Sequence, residues 1–194
     1  MLRFPLIQDL NSLEMMPVLS CTEYPWSEGS SYMPFMTARI ALVQGEGAVF
    51  DLFAFDTEPT ADPEADHPLD DHLLAAVFNF FPAESGTTLG FAANAFDKCM
   101  LYVNGEAAGT LPCLRAAGED ERGIYWNVRV TLPCALLQQH YGKALPENGA
   151  QLMGNIFKAK RIGPKAHLGA VVPAIKDGFL FEAENANAFL VTAL

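Results

Sequence analysis

The densest group of side chains capable of chemistry in this 194-residue chain is the run Asp62-Pro-Glu-Ala-Asp-His-Pro-Leu-Asp-Asp-His72. A hard cation needs several oxygens converging on one point, and Asp66, Asp70 and Asp71 are the carboxylates of this run that would supply them to calcium. Two other readings stand beside that one. His67 and His72 suit a transition metal, and a solvated acidic loop needs no ion at all. The spacing matches no EF-hand, and Pro63 and Pro68 stiffen the segment. A second group has the opposite sign. Lys158, Lys160, Arg161, Lys165 and Lys176 fall within 148–176, a stretch without Asp or Glu. They could receive an anionic ligand, or form a charged face turned toward the acidic loop or another chain. A third group is aromatic. Tyr24, Trp26 and Tyr32 lie in a proline-punctuated segment, where rigid rings could serve as platforms for the apolar faces of a sugar or plug one end of a core.

Signals for covalent catalysis are missing. There is no Gly-x-Ser-x-Gly, and no cysteine stands beside a histidine. Gly86-Thr-Thr-Leu-Gly90 lacks the lysine and the following helix of a phosphate loop. Glycoside hydrolysis would need two carboxylates across a cleft, whereas the acids of 56–71 share one loop. The chain is therefore expected to be no enzyme. Its four cysteines form no C-x-x-C pair and sit among apolar neighbours, as buried free thiols do.

The elements that must carry these groups are strands. Gly123–Pro133 alternates cleanly: Trp126, Val128, Val130 and Leu132 fall on one face, which makes Trp126 a core residue, and Pro133 stops the ladder. A short helix is predicted over 134–141. Thr37–Gln44 and Ala48–Phe55 read as a hairpin turning at Gly45-Glu-Gly47, and both faces of the second strand are apolar. Further strands are predicted over 72–81, 87–94, 98–103, 110–115, 154–158 and 188–192, with 116–122 a loop and 1–36 irregular. Hydrophobic residues make up 51% of the chain and include 14 Phe, enough to fill a core. The pattern predicts an all-β fold, a two-layer antiparallel β-sandwich of jelly-roll or immunoglobulin-like type, formed as a single domain over 1–194.

Net charge is −11, which argues against a nucleic-acid groove or an anionic membrane surface as partner. No run reaches the ~20 apolar residues of a membrane span. The first residues do not read as a secretory signal, because Pro5 and Asp9 interrupt a short apolar stretch. The expected location is cytoplasmic, or extracellular if a leader has been removed.

In their order along the chain, several short stretches resemble the family 9 carbohydrate-binding modules. They are Pro34-Phe-Met-Thr-Ala-Arg39, Phe55-Asp-Thr-Glu-Pro59, the strand from Asp71 to Pro82, Asn94-Ala95, Gly123-x-x-Trp126 running to Pro133, Gly154-Asn-x-x-Lys158 and His167-x-Gly169. The resemblance spans about residues 24–194. It implies a β-sandwich, often calcium-stabilised, that binds sugar chains or their ends without catalysis. It departs at Val171, where the family often carries Trp, and at Ala75 and Ala92, where Glu is common. The expected function is recognition of a small sugar or glycan end. Asn155, Arg161 and His167 would form its rim, and Trp26 and Tyr32 its platforms. The other reading is a structural or interaction β-sandwich that has lost the sugar site; a homo-oligomer fits either.

Overall fold

A computed structural model describes residues 1–26, 32–62, 64, 68–163, 165–174, 181 and 186–194; of residues 23, 25 and 26 it describes the backbone alone. The strands are β1 (Leu2–Ile7), β2 (Leu19–Ser20), β3 (Glu23–Trp26), β4 (Met36–Val43), β5 (Gly47–Asp56), β6 (Leu73–Asn79) and β7 (Leu89–Asn94). They continue as β8 (Cys99–Val103), β9 (Glu106–Thr110), β10 (Cys113–Asp120), β11 (Gly123–Pro133), β12 (Gln151–Lys160), β13 (His167–Ala170) and β14 (Asn187–Ala193). The helix α1 covers Cys134–Tyr141 and ends on Gly142, whose φ of 72° is the left-handed cap that glycine provides. A 3-10 turn covers Leu10–Met15.

Among the described residues all these strands belong to one sheet, ordered β10-β11-β5-β4-β1-β14-β12-β6-β7-β8-β9, with β13, β2 and β3 attached to its side. The sheet is mixed, which corrects the expected antiparallel ladder: β1 runs parallel to both of its neighbours, β14 and β4. The segment expected to be irregular thus opens with a strand in the middle of the sheet. Two further expectations change. The predicted loop over 116–122 is largely strand, because β10 pairs with β11 as far as Asp120, and β9 adds an exposed strand.

The sheet curls over on itself. Phe50 of β5 and Phe91 of β7 are separated by five strands in the order, yet their rings lie 5.3 Å apart. The two ends of the path also approach. Arg115 Nη2 of β10 donates to the Lys98 carbonyl, just before β8, at 2.7 Å. The concave face is filled by alternate residues of successive strands, even-numbered on β1, β4, β5, β6, β11 and β12 and odd-numbered on β7, β8 and β14, as a period of two requires. Phe4 sits at its centre, with the rings of Phe50, Phe78, Phe80 and Phe189 at 5.2–6.3 Å, edge-on. Gly154 permits this packing, because a Cβ there would stand 2.2 Å from the Phe78 ring.

Candidate functional site

The same alternation that fills the concave face with hydrocarbon runs on past it into charge. On β5 the inward series Ala48, Phe50, Leu52, Ala54 ends at Asp56. On β12 Leu152 and Ile156 are followed by Lys158 and Lys160. Leading into β6, His72 precedes Leu74, Ala76 and Phe78. On β13 His167 and Gly169 lie opposite Lys160 and Lys158, so they share that face. Trp126, near the start of β11 and two residues past Ile124 on the same face, completes the group. Asp56, His72, Lys158 and His167 are all fully or almost fully buried, as is Trp126. One end of the concave face is therefore polar.

Asp56 is its centre. One carboxylate oxygen accepts from the Trp126 indole N–H at 2.8 Å and ion-pairs with Lys158 Nζ at 3.0 Å; the other accepts from the Tyr32 hydroxyl at 3.1 Å. Burial by itself raises the Asp56 pKa. The Lys158 charge and the Trp126 hydrogen bond outweigh it, and the carboxyl lies below its ordinary value. Burial pulls the Lys158 ammonium downward, and Asp56 opposes that pull. Lys158 Nζ also lies 5.5 Å from the Trp126 ring centre, a cation–π distance.

The two histidines flank this pair, with ring centres 5.8 Å apart. Burial first, and the Lys158 charge second, lower His72 to about 4 and His167 to about 3, so both are neutral at neutral pH. Their hydrogen bonds assign opposite tautomers. His72 Nδ1 faces the Thr60 N–H at 3.0 Å and must accept, which puts its proton on Nε2. His167 Nδ1 faces the Lys165 carbonyl at 2.7 Å and must donate, which leaves its Nε2 bare. Neither Nε2 has a hydrogen-bond partner among the described residues.

Tyr32 covers this group from outside. Its ring meets His167 edge-on at 5.4 Å, and Lys165 Nζ lies 5.6 Å from its centre. Burial, followed by the Asp56 charge, pushes the Tyr32 hydroxyl up to about 12, so it stays a donor. Tyr24 lies against Gly169, where a Cβ would come within 2.7 Å of its ring, and donates to the Pro34 carbonyl. Lys160 reaches Thr60 Oγ1 at 2.7 Å, which ties the loop before His72 to the end of β12.

Of the residues expected at a sugar site, Tyr32 and His167 come together here. Arg161 lies outside and forms a two-point ion pair with Asp70, at 2.6 and 3.2 Å. Asn155 is buried as a clamp: its Nδ2 donates to the Val172 carbonyl and its Oδ1 accepts from the Val172 N–H. The backbone of Trp26 pairs with Leu168, and its side chain lies outside the described residues. Of the three expected calcium ligands, Asp66 also lies outside them. Both Asp70 oxygens face Arg161, while Asp71 accepts from the Asp62 N–H at 2.8 Å and from Asn94 Nδ2 at 2.9 Å. Among the described residues no three His, Cys, Asp or Glu side chains are grouped to hold a metal ion. Sequence reasoning missed Asp56, His72 and Lys158 as partners. The available signal was the period-two face that leads from Leu152 through Ile156 to Lys158.

No protein-family model matches the chain, and no characterised protein matches it in sequence. Solved structures do match it in shape over its whole length. A candidate carbohydrate-binding protein from Bacteroides uniformis superposes with a TM-score of 0.73 at 14% identity, covering 98% of each chain. A family 9 carbohydrate-binding module from Caldicellulosiruptor kristjanssonii, in complex with cellotriose, gives 0.64 at 8% identity and covers 100% of this chain and 94% of the module. The same organism's module in complex with glucose gives 0.59 at 8% identity, over 99% and 96%. The protein thus has a fold like that of the family 9 carbohydrate-binding modules. At these identities the likeness is one of fold.

Proposed function

We propose that this protein binds the end of a carbohydrate, without catalysis, at the polar end of the concave face. The observation that carries this reading is the pair of buried, neutral imidazoles whose Nε2 atoms lack protein partners, next to the ring of Tyr32. Buried polar atoms are normally satisfied, and a polyhydroxylated ligand offers both donors and acceptors. We read the curled sheet as two packed layers that leave this end accessible to a ligand; the contact of Phe50 with Phe91 supports the layering. The solved modules in complex with glucose and cellotriose support sugars of that class as first probes. Catalysis fits poorly. Asp56 is held ionised and bound by Lys158 and Trp126, which suits neither a general acid nor a free nucleophile. Calorimetric titration with glucose, cellotriose and a wider panel of mono- and oligosaccharides tests the proposal, and folded protein giving no heat with any of them would overturn it.

A second reading, an interaction module that has lost its sugar site, is favoured by one observation. Val171 is buried where a ligand-stacking Trp would be expected, and it packs into the core. Sedimentation velocity separates the two: concentration-dependent association without sugar binding would support the second.

A further inference from the structure

We infer that His72 and His167 act as a matched donor–acceptor pair for a single hydroxyl group of an uncharged sugar. The inference rests on the carbohydrate-binding reading and specifies which chemistry that site selects. His72 offers Nε2–H, because its Nδ1 is occupied as the acceptor of the Thr60 N–H. His167 offers a bare Nε2, because its Nδ1–H is given to the Lys165 carbonyl. Both nitrogens are buried and unpartnered among the described residues, and the rings are 5.8 Å apart.

A hydroxyl is the group that satisfies both at once, accepting from one imidazole and donating to the other. An ammonium offers only protons, so it would set a donor against His72 Nε2–H, in a site that already holds the Lys158 cation. A carboxylate offers only lone pairs and would set an acceptor against the bare His167 nitrogen. An O-methyl group can accept from His72 but cannot donate to His167. The pair therefore selects a free hydroxyl over its amino, acidic and methylated replacements, because each leaves one buried polar atom unpaired. Thr60 fixes one half of the selection and the Lys165 carbonyl the other, so the discrimination is built into backbone geometry.

The test has two parts. Two-bond proton–nitrogen correlation spectra of protein labelled with 15N-histidine report the tautomers without any sugar. The expected result is Nε2–H on His72 and Nδ1–H on His167; the same tautomer on both overturns the inference whatever binds. The second part titrates glucose, galactose, mannose and xylose, then the monodeoxy and mono-O-methyl derivatives of the best binder. One position is expected to lose about tenfold in affinity on either change, the size of one net hydrogen bond. The parent sugar is expected to shift both Nε2 resonances. A sugar that binds with no such position, or without moving either resonance, overturns the inference and leaves the carbohydrate-binding reading standing. No binding by any sugar overturns both and leaves the pair to a buried water.

Discussion

The two ends of one sheet face are built by the same strands and do different things. Along β5, β6, β11 and β12 the inward residues begin as hydrocarbon around Phe4 and finish as Asp56, His72, Trp126 and Lys158. Burial is equal at both ends. Energy is not, because an apolar side chain gains from leaving water, whereas an ion gains only if its partner comes with it. The apolar end can thus stabilise the fold unaided. The polar end persists through specific pairings, and a pairing left open on two imidazoles is where a ligand can contribute.

The largest effect separating the two ends is expected from the apolar one. Phe78 meets Phe4, Phe50, Phe80 and Phe189, and Gly154 lies flat against its ring. Phe78→Ala should cost about 3–5 kcal/mol of unfolding free energy in urea titrations, with the same loss at pH 5 and pH 7. A loss that deepened on acidification would mean that the two ends are energetically coupled.

Next comes the ion pair. Asp56→Asn leaves the buried Lys158 without a counter-charge and should cost about 3 kcal/mol. Adding Lys158→Met removes the unpaired charge and should restore most of that stability, because replacing both members of a buried pair by neutral groups is often close to neutral. A double variant as unstable as the single one would show that the Trp126 and Tyr32 hydrogen bonds to Asp56, rather than the charge pair, hold this end together.

Much of the apolar end is legible in the sequence. Trp126, Val128, Val130 and Leu132 announce an inward face by alternation, the hairpin of β4 and β5 is marked by its glycines, and α1 falls where Pro133 stops a strand. β1 is not legible, because its partners are the distant β14 and β4 in parallel register, and Pro5 reads as a breaker. It falls just before the ladder to β4 begins at Leu6, where a missing N–H is tolerated. The polar end is harder still. Asp56 and Lys158 stand among other charges in loop-flanking stretches that look solvated, and only the curling of the sheet brings them within 3.0 Å. Arg161 and Asn155 show the opposite error: polar residues beside the right strand that go to a surface ion pair and a backbone clamp.

Acid should affect the polar end selectively. Folded His72 and His167 titrate at about 4 and about 3, below the unfolded value of 6.5, so below pH 6.5 the unfolded chain takes up protons first. The stability these neutral rings allow is complete above pH 6.5 and falls as pH drops toward 4 and then 3. Each ring should account for up to about 2 kcal/mol between pH 7 and pH 5. Asp56, held below its ordinary value, does not titrate in that window. Urea midpoints measured across it should decline steadily, and bound sugar should raise them by a nearly constant amount, because the folded rings hold almost no protons there with or without it. A flat profile would mean that both rings are protonated or solvent-reached in the folded protein.

The smallest effect concerns the acidic run of 62–72. Its charge density alone suggests calcium, yet two of its carboxylates are already engaged by protein donors, Asp70 by Arg161 and Asp71 by Asp62 and Asn94. An ion taking Asp70 and Asp71 as ligands would have to displace a two-point guanidinium contact and two N–H donors. Thermal unfolding in excess EGTA should therefore match that in millimolar calcium to within about a degree. A clear rise in Tm with calcium, abolished by Asp71→Asn, would show that these carboxylates rearrange around an ion and that this end of the molecule is held by more than the Asp56–Lys158 pair.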